Sequence, residues 1–339
     1  MRTLIALVLV AGCSSDGGNA TADASKSTDD MMIPMPDAAP ALGTVTGVTD
    51  VACPAMTPMS FTCKRLTVSG CPGIESESLD ATIAIAQAVG TARGTIVHLS
   101  GGGGTGFQLG GVQQYGNAGF RQVFVAWASA WEQTTTKGIR AAGCRPATVL
   151  RWIFDEPTLH AGSRTLGFCG EGFSGGSGQL GYALAHYGLG DYLDYVNELS
   201  GPPFARIDLG CDGDAPATAM VCGASVTMQL PTVLDMWENN QSPSTCGATG
   251  IAATELERWK SDSIAIGGSY AYDKTRVEFF DCTNQATAVT GMAQLYHDVI
   301  TSDKAFHCYS QSDGCQGEGL GTGAMDAVQA MIAGCVPRH

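Results

Sequence analysis

The sequence predicts an α/β protein: a mainly parallel sheet with helices on both faces, stapled by disulfides. Three observations predict it. Short β-branched or aromatic runs alternate with helical stretches, 44% of residues are hydrophobic against 15% charged, and twelve cysteines stand singly between residues 53 and 335. Within 339 residues, 18 Lys and Arg face 32 Asp and Glu, a formal net charge of −14. Phosphate binding needs clustered cations, so nonspecific nucleic-acid binding is excluded. The apolar share excludes wholesale disorder. Forty-five glycines without a collagen period mark tight turns and close backbone approaches.

Residues 1–12 read as a leader. Met1-Arg2 is a basic start, Leu4 to Val10 an apolar run too short to span a bilayer, and Val10-Ala11-Gly12-Cys13 closes it with small residues. The segment resembles a bacterial lipoprotein signal, which implies cleavage before Cys13, lipid attachment to its thiol and a place in the cell envelope, on its periplasmic or outer-surface side. An ordinary secretory signal is the alternative, and the chain is exported in either case. Residues 13–50, mixed Ser, Asp, Ala, Gly, Met and Pro without aromatics, are expected to be a disordered tether. The Met31, Met32, Ile33, Met35 cluster within it reads as incidental.

Residues 51–337 are expected to form the folded domain. Thr95–Leu99, Gln122–Ala126, Gly167–Gly170 leading to Ser174, Ala205–Leu209, Thr275–Phe280 and Lys304–Cys308 read as strands. Helices are expected near 145–154, 176–187, 286–300 and 322–334, an alternation that argues for right-handed crossovers. Residues 212–270 break the rhythm and read as an excursion capping one end of the sheet. Without Cys13 the cysteine count is twelve, and no Cys-x-x-Cys pair occurs, so a disulfide framework is favoured over zinc. Cys211/Cys222 and Cys308/Cys315, close in sequence, are the expected local bridges.

Two motifs carry chemistry. Gly172-Phe173-Ser174-Gly175-Gly176 follows a strand and opens a helix, the context of a nucleophile elbow. The competing reading is a Gly/Ser turn that only packs a helix on the sheet. His98-Leu99-Ser100-Gly101-Gly102-Gly103-Gly104-Thr105-Gly106 also follows a strand. Its backbone N–H groups suit an oxyanion hole, with Gly101, Gly102 or Gly103 giving one donor and Gly175 the other. The same letters contain Gly101-x-Gly103-x-x-Gly106, a dinucleotide pattern, but a strand precedes it and export removes the chain from the nicotinamide pool.

The order of Gly-rich loop, elbow and later acid resembles the α/β-hydrolase superfamily, and the run from Gly172 to Gly188 looks like the elbow helix of exported bacterial esterases. The resemblance implies a Ser nucleophile followed in the chain by Asp or Glu and then His. Asp281, at the end of a strand, is the acid in place, with Asp208 as runner-up and Asp212 and Asp214 behind it; a structural role capping a helix near Asn284 competes. The family's histidine belongs near 309–321, where this sequence has none. Three outcomes stay open: His307 serves as base, Glu318 or Asp313 attempts the role despite a reference pKa of about 4, or the triad is broken with Gln316 or a neighbour in its place. His98, His160, His186, His297 and His339 lie elsewhere.

Two functions follow from these residues. One is a lipid-anchored esterase acting on a small-molecule or polymer ester, with Ser174 as nucleophile, His307 as base and Asp281 orienting it, and with Trp127 and Trp131 lining an acyl pocket. The other is a noncatalytic envelope binding protein on a hydrolase framework. The absent loop histidine favours the second; retention of both glycine segments favours the first, since binding alone would not require both. The reading calls for no cofactor and no metal, because Asp212-Gly213-Asp214 lacks the further ligands of a calcium loop.

Overall fold

The computed structural model describes residues 41–54, 60–134, 137–160, 162–214, 217–228, 245–283, 288–316 and 319–338. The leader, Cys13, the Met31–Met35 cluster, Asn284, Glu318 and His339 lie outside them.

Nine strands form one sheet: β1 (Thr44–Val51), β2 (Thr62–Ser69), β3 (Leu79–Ala86), β4 (Gly94–Leu99), β5 (Phe120–Trp127), β6 (Gly167–Phe173), β7 (Tyr195–Leu199), β10 (Arg276–Cys282) and β11 (Lys304–Tyr309). Their order is β1-β2-β3-β5-β4-β6-β7-β10-β11. β1, β2, β3 and β5 pair antiparallel, and from β5 to β11 every pair is parallel. This is an α/β-hydrolase-like sheet. A separate hairpin joins β8 (Thr218–Val221) to β9 (Ala224–Thr227).

Helices cover both faces, as the βα alternation requires. On one face lie α3 (Cys144–Asp155), α4 (Gly175–Tyr187) and α7 (Ala288–Val299), packed with Val97, Val125, Val196 and Phe279. On the other lie α1 (Val112–Asn117) and α8 (Gly323–Gly334), against Ile96, Cys169, Tyr195 and Phe280. The short helices α2 (Ile139–Ala142), α5 (Ile207–Cys211) and α6 (Ala253–Asp262) lie in the connections. The 212–270 segment carries the β8–β9 hairpin, which packs on α7, and α6.

Three expectations are corrected. Ala205–Leu209 does not add a strand: β7 pairs directly with β10, which leaves no free ladder between them, and the segment turns instead into α5. Arg206 folds onto Asp208 through two hydrogen bonds of 2.9 and 2.8 Å, which uses the runner-up acid structurally. The tether does not run to residue 50, because Thr44–Val51 forms β1. That strand is an exposed edge, so it lacks the period-two apolar pattern that would reveal it. The bridges are Cys53–Cys63, Cys71–Cys144, Cys169–Cys335, Cys211–Cys246, Cys222–Cys308 and Cys282–Cys315. Neither expected local pair forms. Cys222 sits at the hairpin turn beside the sheet edge and reaches β11, while Cys315 reaches back to β10, so proximity in space replaces proximity in sequence.

Candidate active site

β6 ends at Phe173 and α4 starts at Gly175, leaving Ser174 to make the whole reversal with φ 52° and ψ −112°. A non-glycine residue held there stores strain of order 1–3 kcal/mol, and such outliers cluster at functional sites. The surroundings hold the bend from three sides. Ser174 N–H donates to the Leu199 carbonyl at 2.8 Å, and its own carbonyl accepts from Gly178 N–H at 3.2 Å and Ser177 Oγ at 2.5 Å. Its hydroxyl is the part left uncommitted: Ser174 is half-buried and its Oγ has no hydrogen-bond partner among the described residues.

The glycine loop lies directly against this bend. Ser100 Oγ closes it by donating to the Gly106 carbonyl at 2.6 Å, and Gly104 N–H donates to Gly101 O at 3.1 Å. The carbonyls of Gly103 and Gly104 accept from Trp131 and Trp127 N–H at 3.0 and 2.8 Å. The N–H groups of Gly102 and Gly103 have no partner among the described residues. A Cβ on Gly175 would collide with the Gly102 carbonyl oxygen and lie 2.9 Å from its nitrogen; one on Gly176 would collide with the Leu99 carbonyl. Elbow and loop therefore meet backbone to backbone at Gly175 and Gly176, while Gly101 lies against the ring and carbonyl of Phe173. Packing alone demands these glycines, so their retention does not discriminate catalysis from binding. The strained serine is what discriminates, since glycine would occupy that φ without cost.

Asp281 and His307 are not brought together. Asp281 follows Phe279 on the face of α4 and α7, and it is 1% exposed. His307 pairs in register with Phe280 on the opposite face, and their rings stack at 4.5 Å. The histidine Nε2 lies 2.8 Å from Glu278 Oε2. Burial would raise the Glu278 carboxyl, but hydrogen bonds from His307 and Arg276 outweigh it and hold it at about 2. The expected Ser174–His307–Asp281 relay is thus corrected: adjacent strand residues point to opposite faces, and the one-residue offset between the two places them on either side of the sheet.

Asp281 instead stands near Glu198, at the end of β7. Both carboxyls are buried, and among the described residues none of their four oxygens has a hydrogen-bond partner. Burial pushes both pKa values well up; the Asp281 charge adds to the rise at Glu198, and the Gly201 amide opposes it at Asp281. Glu198 was invisible in the sequence because it interrupts an apolar strand and reads as a surface position. Asp313 is spent on a capping box with Ser310. His98 is buried beneath the sheet with Nδ1 3.1 Å from Glu171, which also accepts from Tyr115 OH. His160 and His186 are buried too, and burial lowers them to about 4 and about 3. Trp131 is a core residue, whereas Trp127, 2% exposed, borders a cleft shared with Arg65, Thr105 and Phe107, and its Nε1 donates to Gln179 Oε1 at 2.9 Å. Among the described residues no group of three or more His, Cys, Asp or Glu is arranged to hold a metal.

The architecture is similar to that of a solved structure. Acetyl xylan esterase 1 from Thermoanaerobacterium sp. matches at TM-score 0.51 and 12% identity, over 84% of this chain and 87% of its own. Fainter likenesses are an arylesterase (TM-score 0.48, 10% identity, 89% and 86% covered) and an esterase from Pyrobaculum calidifontis (0.46, 12%, 81% and 86%). No protein-family model matches the chain, and no curated protein matches it in sequence. At 12% identity the likeness to the acetyl xylan esterase establishes a common α/β-hydrolase-like fold, and function has to be argued from the site.

Proposed function

We propose that this chain is an acyl hydrolase of the serine type in which Ser174 accepts the acyl group of an ester. The single observation behind this reading is the φ of 52° at Ser174, a strained serine with an uncommitted hydroxyl where glycine would relax the turn. Gly175 N–H, at the first turn of α4, has no intrahelical partner, and with the free amides of Gly102 and Gly103 it supplies donors for the oxyanion. Attack by Ser174 Oγ on the ester carbonyl forms the acyl-enzyme and releases the alcohol. Water then returns the acid and frees the serine. Among the described residues no histidine hydrogen-bonds Ser174, so the imidazole base that the family resemblance implies is not in place there, and acylation is expected to be slow.

Export with a lipid on Cys13 belongs to the same proposal, supported by the six cystines of the described chain. The mass of the mature N-terminal peptide tests it.

The second reading is a noncatalytic envelope binding protein, and the turning of His307 toward Glu278 favours it. Fluorophosphonate labelling with mass detection separates the two. A single adduct on Ser174 that disappears in Ser174→Ala supports the hydrolase. No Ser174-dependent adduct over hours rejects it in favour of the binding protein.

A further inference from the structure

Glu132 lies directly behind the glycine loop and has no part in the triad logic. It follows Trp131, whose N–H holds the Gly103 carbonyl at 3.0 Å, and a Cβ built on Gly103 would stand 3.4 Å from Glu132 Oε1. Glu132 is 1% exposed, and among the described residues neither carboxyl oxygen has a hydrogen-bond partner. Two further buried polar groups converge on the same stretch: Gln179 Nε2, which would lie 3.0 Å from a Cβ on Gly104, and the indole of Trp131, at 3.3 Å from the same point, whose Nε1 is also unpartnered.

The cation that faces this cluster is already occupied. Arg145, on α3, donates to the carbonyls of Trp131 and Gln133 at 2.8 and 2.6 Å and pairs with Glu77 at 3.1 Å. It gives Glu132 a distant charge and no hydrogen bond. Three orphaned groups around two consecutive glycines are costly to bury. Their shared neighbour is the loop with the two uncommitted amides.

We propose that Glu132 is a positioning residue for acyl transfer at Ser174, a neutral carboxyl that backs the Gly102–Gly104 loop and whose ionisation opposes negative charge at the amides of Gly102 and Gly103. The inference rests on the serine-hydrolase reading and adds to it a residue that acts through the loop. Burial, partly offset by Glu132's own backbone amide and the Arg145 charge, pushes its pKa up to about 7, so the change of state falls near neutrality. A carboxylate buried there sits on the wrong side of an oxyanion, because both charges are negative and little water screens them. It also gains by drawing a loop N–H to itself, which removes a donor from the hole. The site is therefore favoured below neutral pH, opposite to the profile of an imidazole base, which loses activity on acidification.

The test is the rate of Ser174 modification by a fluorophosphonate probe from about pH 5 to about pH 9, on the full chain and on Glu132→Gln and Glu132→Leu, neither of which ionises. The ratio of variant to wild-type rate is expected to stay near one at the acid end and to climb to about tenfold at the alkaline end, a fraction of what losing one oxyanion donor does. Parallel profiles in all three proteins overturn the proposal while leaving Ser174 as nucleophile. Failure of every protein to react at any pH sinks the acyl-transfer reading, and amide hydrogen exchange over residues 100–107 then decides the rest. Wild-type protection that falls above neutrality relative to both variants upholds the hold of Glu132 on the loop, and equal protection overturns it. Should neither variant fold, a wild-type labelling rate that rises without a break up to the alkaline limit overturns it as well.

Discussion

The elbow at the middle of the sheet and the β10–β11 edge both stand at the carboxyl ends of parallel strands, yet different physics holds them. The elbow is fixed by backbone meeting backbone: Gly175 on Gly102, Gly176 on Leu99, and Ser174 N–H on the Leu199 carbonyl. The edge is fixed by side chains and covalent links, with Cys222–Cys308 and Cys282–Cys315 fastening its strands and His307 clamped to Glu278. A bend made by backbone contacts tolerates almost no substitution and is announced by its glycines. An edge made by side-chain pairs depends on which face each residue takes, and there the hydrolase relay is missing.

The sharpest way to break the contrast is Gly175→Ala. The added methyl meets a carbonyl oxygen and nitrogen of the neighbouring backbone, which cannot rotate aside, so a loss of about 3 kcal/mol or more is expected in denaturant unfolding. A neutral result would show that elbow and loop are less tightly joined than their geometry requires.

Glu278→Gln probes the edge more gently. The folded carboxyl titrates at about 2 against an ordinary 4.5, so its contribution to stability is complete above about pH 4.5 and is lost as pH falls toward 2. The variant should be about 2–3 kcal/mol less stable at neutral pH, the partly exposed His307 reducing the ideal figure, and should approach the wild type near pH 2. Urea midpoints measured at both ends check it; a gap independent of pH would mean that the pairing contributes nothing.

The smallest effect is expected from His307→Ala, where Ser174 labelling changes by less than about twofold. A fall of orders of magnitude would place the histidine back in the relay and demand a rearranged edge.

Legibility followed the same division. The strands around Thr95–Leu99 and Gln122–Ala126 and the helix after Ser174 were readable because buried parallel strands are unbroken apolar runs and a glycine-flanked serine between strand and helix has few uses. β1 was hidden by its exposure and β7 by Asn197 and Glu198, buried polar residues that imitate a surface segment. Glu132 was hidden for the same reason: Trp131-Glu132-Gln133 reads as a solvent turn until the fold closes over it.

By itself the sequence determined what is local: the alternation that makes the layers, the glycines that permit the elbow, and twelve singly spaced cysteines after residue 50 in a polyanionic chain. Tertiary structure alone decided which cysteines meet, that Asp281 and His307 lie on opposite sides of the sheet, and that Glu132 and Glu198 are sealed from water. Those outcomes depend on strand register and on desolvation by residues distant in the chain, and neither quantity is carried by any short stretch of it.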